Sequence, residues 1–207
     1  MTIIASKGWR RAGIIFASIF SAYAVYAAPA PALGGTNQAQ QVPVSLRRYD
    51  KDWFDAARVG RIDLIQGLLR SSYPIDAQTD AGYSALVLAA YNDQLQALDL
   101  LLESGANPCL ADHQGNTALM GALFKGYNDI ARRLLKSGCD IDQANNAGET
   151  ALSFAALFGR FDLLPLLVAA GADPNHVDAR GNTALAMARI QGNDTAEAAL
   201  HKVGATR

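Results

Sequence analysis

The sequence predicts an all-α solenoid of about five helix-turn-helix units with short β-hairpin-like loops, because two phrases and one residue pair return in phase along it. The first phrase is Gly115-Asn116-Thr117-Ala118-Leu119, repeated as Gly82-Tyr83-Ser84-Ala85-Leu86, Gly148-Glu149-Thr150-Ala151-Leu152 and Gly181-Asn182-Thr183-Ala184-Leu185, with its glycines spaced in equal steps. The second is Ser104-Gly105-Ala106, which returns as Ser137-Gly138-Cys139 and Ala170-Gly171-Ala172. Apolar pairs keep the same step at Leu68-Leu69, Leu101-Leu102, Leu134-Leu135 and Leu167-Val168. A unit that cannot bury its own apolar face must stack on its neighbours, so every contact between units is expected to be with the adjacent one.

Residues 1–27 read as a signal peptide. Lys7, Arg10 and Arg11 precede an uncharged apolar run from Ala12 to Tyr26, and Val25-Tyr26-Ala27 offers small residues where a signal peptidase cuts. The run is shorter than the roughly 20 residues of a membrane-spanning helix, which argues against an uncleaved anchor. Cleavage is expected after Ala27. Residues 28–45 hold three prolines, two adjacent glycines and no charge, the composition of a flexible linker.

The repeat domain is expected over 46–207. Its first unit, 46–80, lacks the Gly-x-Thr phrase but places Trp53 and Ala56-Ala57 in phase with Leu86 and Ala89-Ala90, among charges such as Arg47, Asp50, Lys51 and Asp55. That pattern suits an N-terminal cap whose outer side faces water. Units 81–113, 114–146 and 147–179 follow, and 180–207 replaces the apolar pair by Leu200-His201, as a C-terminal cap would.

Within each unit Ser84, Thr117, Thr150 and Thr183 stand where a helix begins, positioned to accept a first-turn N–H. Gly60, Gly126, Gly159 and Gly192 recur between the two helices, with Asp93 the exception. Glycines 105, 138 and 171 end the second helix. Leu119 and Leu135 are expected to be core residues. Pro165 is expected in the first turn of its helix, where a missing N–H costs little.

A gapless step of 33 residues, kept from Gly82 through Gly115 and Gly148 to Gly181, with a turn and two helices per unit, resembles the ankyrin repeat, from about residue 50 to the C-terminus. The family's Thr-Pro-Leu-His phrase is altered: alanine stands for proline at 85, 118, 151 and 184, and Val87, Met120, Ser153 and Ala186 take the histidine position. The resemblance therefore implies the fold without the family's histidine-centred hydrogen bonds.

The resemblance also implies a protein-binding surface on a concave side made of hairpin tips and first-helix faces. At the tips it carries over to Tyr83, His113, Gln114, Asn116, Glu149, Arg180 and Asn182, and at the helix ends to Tyr91, Asn92, Phe124, Lys125, Leu157 and Phe158. The column Tyr91, Phe124, Leu157, Ile190 is apolar throughout; it either anchors a partner or packs between neighbouring first helices. Phe158 interrupts the polar column of Asn92, Lys125 and Gln191 and is expected to be exposed and to bind.

No catalytic or metal-ligating spacing links His113, His176 and His201 to one another or to the cysteines. Asp112, Asn145 and Asp178 recur before the turn and are expected to tighten it. Equivalent positions in stacked units lie about 10 Å apart, so Cys109 and Cys139 are expected to be unpaired unless their offset brings them together. The formal net charge of −1 becomes −4 once the three signal cations are removed, which disfavours nucleic acid and anionic membrane as partners. The expected protein is a monomeric, non-catalytic binding module without metal or cofactor, working in the periplasm of a Gram-negative bacterium; a secreted effector acting on host proteins is the alternative.

Overall fold

The computed structural model describes residues 42–207. The signal segment 1–27 and all but the last residues of the linker 28–45 lie outside them. Val42–Ser45 lead through a turn, in which the Leu46 N–H donates to the Pro43 carbonyl at 2.8 Å, into a 3₁₀ turn at Arg47–Tyr49.

Among the described residues ten α-helices follow, in five pairs: α1 Asp50–Val59 and α2 Ile62–Arg70, α3 Ala85–Tyr91 and α4 Leu95–Glu103, α5 Ala118–Lys125 and α6 Asn128–Leu134, α7 Ala151–Leu157 and α8 Leu164–Ala169, α9 Ala184–Ile190 and α10 Asp194–Lys202. The first helices α1, α3, α5, α7 and α9 pack in a row, each on the next, and the second helices cover them. Alanines make this close approach possible. Ala57, Ala89, Ala90, Ala122, Ala155 and Ala156 are all buried in the apolar core.

The first helices α3, α5, α7 and α9 each start at the expected cap. The side-chain oxygens of Ser84, Thr117, Thr150 and Thr183 accept the backbone N–H three residues on, at 3.3, 3.4, 3.5 and 3.1 Å, and all four residues are buried. The positions vacated by histidine are filled differently from unit to unit: Val87 and Met120 are buried in apolar packing, while the Ser153 hydroxyl lies 3.4 Å from that of Thr150. At the inter-helix turn Asp93 adopts φ 58°, matching the left-handed backbone of Gly126 at 83°. Pro165 sits in the first turn of α8, which begins at Leu164 after a non-helical turn over 161–163.

The loops close as short hairpins, with isolated antiparallel bridges Gln78↔Ser84, Ala111↔Thr117 and Val177↔Thr183 and no named strand among the described residues. Asp112, Asn145 and Asp178 tighten them as expected: each side-chain oxygen Oδ1 accepts two backbone N–H groups, from Gln114 and Asn116, Ala147 and Glu149, and Arg180 and Asn182. Successive tips are then joined by backbone hydrogen bonds, from His113 N–H to the Ala81 carbonyl at 3.1 Å, Asn146 to Gln114 at 2.9 Å and Ala179 to Ala147 at 3.0 Å.

Two expectations are corrected. Leu119 and Leu135 are half-buried and pack against the core from its margin, while the buried leucines of their unit are Leu123 and Leu134. Cys109 and Cys139 form a disulfide, with Cα atoms 5.5 Å apart. The wider spacing expected of stacked units applies to equivalent positions only. Cys139 follows Cys109 at a sequence separation of 30, three short of the repeat, and that offset brings it back to the preceding unit.

The tip glycines carry a graded demand. Gly115 has φ 82°, and a Cβ there would stand 2.8 Å from the Asn146 nitrogen and 2.9 Å from the Asn145 Cα. Gly181 has φ 85° with open space around it. Gly181→Ala is therefore expected to cost on the order of 1 kcal/mol from backbone strain alone. Gly115→Ala should cost about 3 kcal/mol, because the clash with backbone adds to the strain. Equal losses in urea unfolding would show that tip-to-tip approach contributes nothing.

Candidate functional site

The exposed ends of the first helices carry a continuous row of rings. Tyr91, the last residue of α3, stacks on Phe124 of α5 with centroids 5.9 Å apart and planes 26° from parallel. Its ring lies over Gly121, where a Cβ would come within 3.0 Å of the Tyr91 Cδ2, so the missing side chain makes the seat for the ring. Phe124 in turn meets the edge of Phe158 at 4.9 Å and 87°, and Phe158 meets Phe154, four residues earlier, at 5.6 Å. Both distances are favourable for aromatic pairs. The Lys125 ammonium sits 4.7 Å above the Tyr91 ring and 6.0 Å from that of Phe124, within cation–π range.

Arg160 fastens this row from the following unit. Its Nε donates to the Leu123 carbonyl at 3.0 Å and its Nη2 to the Phe124 carbonyl at 3.3 Å, at the negative end of α5. The guanidinium occupies the space above Gly126 that any Cβ would fill. Burial raises the Tyr91 phenol above its usual pKa, and neighbouring Tyr83 and the Asp112 carboxylate push the same way, so the hydroxyl stays neutral at physiological pH.

Tyr91, Phe124, Leu157 and Phe158 are half-buried, whereas Ile190 is 72% exposed. Within the apolar column Tyr91 thus packs across a unit boundary on Phe124, and Tyr91, Phe124 and Leu157 still show part of their surface. Ile190 closes the column and is left open. The expected exposure of Phe158 is corrected: its ring is wedged between Phe124 and Phe154 and belongs to the row rather than to the polar column. The i, i+4 spacing of Phe154 and Phe158 is the sequence signal for that contact.

The tip residues divide by what already holds them. Asn116 Oδ1 accepts from Asn145 Nδ2 at 3.0 Å, and Glu149 Oε2 accepts from the same amide at 3.1 Å, so both are tied into the hairpins. Tyr83 and Asn182 are half-buried there. His113, Gln114 and Arg180 have exposed side chains. Asn92 is exposed, though its Nδ2 donates back to the Leu88 carbonyl at 2.7 Å. Lys125 is exposed apart from its contact with the rings.

Between α7 and α9 a cleft of about 520 Å³, counted with its open mouth, is lined by Phe154, Leu157, Met187 and Glu149 among others. Its Ser153 hydroxyl faces that of Thr150, while His176 Nε2 lies 2.9 Å from the Gly148 carbonyl. His201 is at the C-terminal cap, its Nδ1 3.0 Å from the Ala205 carbonyl. Among the described residues no group of His, Cys, Asp and Glu is placed to hold a metal ion, and no helix is long and apolar enough to cross a membrane. What the arrangement offers is a semi-rigid apolar and aromatic surface with hydrogen-bonding groups and charges along its edge.

The family model described as ankyrin repeats (3 copies) matches residues 53–145 and 129–206. No curated protein matches the chain significantly. Ankyrin repeats are generally protein–protein interaction modules and typically non-catalytic. Matched over well more than half its length, this chain belongs to the ankyrin-repeat family.

Proposed function

We propose that the chain is exported to the bacterial periplasm and binds a partner protein there, without catalysis, on the concave face of the repeat stack. The observation that carries the reading is the ring row from Tyr91 through Phe124 and Phe158 to Phe154, which spans three adjacent units and is only half covered. Aromatic side chains held in place by their neighbours lose little freedom on binding and are common anchors at protein interfaces. The exposed Asn92 and Lys125 at the helix ends, and His113, Gln114 and Arg180 at the hairpin tips, supply polar contacts that select the partner. The charged start and apolar run of the N-terminus support export, and the disulfide suits an oxidising compartment.

Expression in a Gram-negative host should yield a chain beginning at Ala28 that is released by osmotic shock. Intact-mass measurement of a soluble cytoplasmic chain still carrying Met1 would contradict export.

Affinity capture from periplasmic extract with the chain and with its Tyr91→Ala/Phe124→Ala/Phe158→Ala variant tests the surface, both being checked for helicity by circular dichroism. A protein held by the first should be lost, or weakened at least tenfold, with the second. Equal capture by two folded proteins would move the interface to another face. Capture from host-cell extract alone would favour an effector that leaves the bacterium.

A further inference from the structure

In the loops that follow the second helices, neighbouring units are joined by a second column of links. Asp76, Asp142 and Asn175 occupy one position of the repeat. Each reaches forward to a backbone N–H at a sequence separation of 31, in the next unit: Asp76 Oδ1 accepts from Asn107 at 2.9 Å, the Asp142 carboxylate from Asp173 at 3.0 and 3.1 Å, and Asn175 Oδ1 from Thr206 at 2.8 Å. The fourth member of the column is Cys109. Its corresponding target is the N–H of Asp140, and Cys139, the residue just before, carries the sulfur it is bonded to.

Cys139 fills a slot that its counterparts Ala106, Ala172 and Ala205 fill as buried alanines. Both members of the pair thus depart from their columns, and they depart at the same junction. Both are half-buried rather than sealed in the core.

We propose that the Cys109–Cys139 bond is a redox-sensitive clamp on the junction between the second and third helix pairs, standing in for the side-chain-to-backbone hydrogen bond that ties the others. A dithiol reductant opens it: the S–S bond breaks, two electrons and two protons pass to the cysteines as thiols, and the reductant's own two sulfurs join. A thiol is a poor hydrogen-bond acceptor, so reduction leaves this junction without either link. The other three junctions keep theirs, and the loosening is local.

The test compares the full chain, oxidised and in dithiothreitol, with two cysteine-free variants. Cys109→Ala/Cys139→Ala removes the bond and supplies no acceptor. Cys109→Asp/Cys139→Ala restores the residues of both columns and with them the hydrogen bond to the Asp140 N–H. The wild-type Tm should fall by about 10 °C on reduction, as expected for opening a loop of this length in a protein of this size. The alanine variant should match the reduced protein, and the aspartate variant should recover about half the loss and ignore dithiothreitol. Amide exchange on reduction should quicken at 107–111 and 139–143 while 172–177 stays unchanged.

An unchanged wild-type Tm, or exchange that quickens equally in all units, would overturn the clamp. An aspartate variant no more stable than the alanine one would overturn the substitution of one link for the other. The wild-type comparison alone decides the first point if either variant fails to fold.

Discussion

The arrangement depends on how closely successive hairpin tips approach. A backbone N–H at one tip reaches the carbonyl of the tip before it, as from Asn146 to Gln114, only because Gly115 puts no Cβ between them. That bond fixes the spacing of the units at the tips, while alanines on the first helices fix it in the core. With both spacings set, a residue at the end of one first helix lies against the next first helix. The seating of Tyr91 over Gly121 and of Phe124 against Phe158 follows from that register, and so does the row of rings.

The same spacing explains what is legible in the sequence. Capping hydroxyls and the Asx residues act on atoms within four residues, and the positive φ of the turn glycines is a property of their own backbone, so these roles can be read from local phase. Even Asp93, the one break in the turn column, takes the left-handed backbone the column requires. Features set by contact between units are harder to read. Leu119 and Leu135 keep the periodic phrase, but which leucine points inward depends on how each helix is rotated against its neighbour. Phe158 has the look of an exposed intruder in a polar column because its nearest ring, Phe124, belongs to the preceding unit. The disulfide escapes sequence reading for a related reason. In-register spacing separates the cysteines, and only the forward reach of the Asp76 column shows that a position touches a residue slightly less than one repeat further on.

For the site, position classes are legible and their occupancy is not. The family pattern indicates which columns to examine for a partner-facing surface, but not that Glu149 and Asn116 share the Asn145 amide, nor that Arg160 caps α5 from the following unit. Those ties make the surface rigid where an isolated loop would not be. Rigidity, together with half-covered rings, is the physical argument for recognition through this face.

Site-specific photo-cross-linking with the captured partner tests that argument most directly, comparing a photoreactive residue at Asn92, exposed beside the rings, with one at Leu166, 38% exposed on a second helix. The account predicts a cross-linked adduct from position 92 and none from 166. An adduct from 166 alone would place the partner on the opposite side of the stack and contradict it.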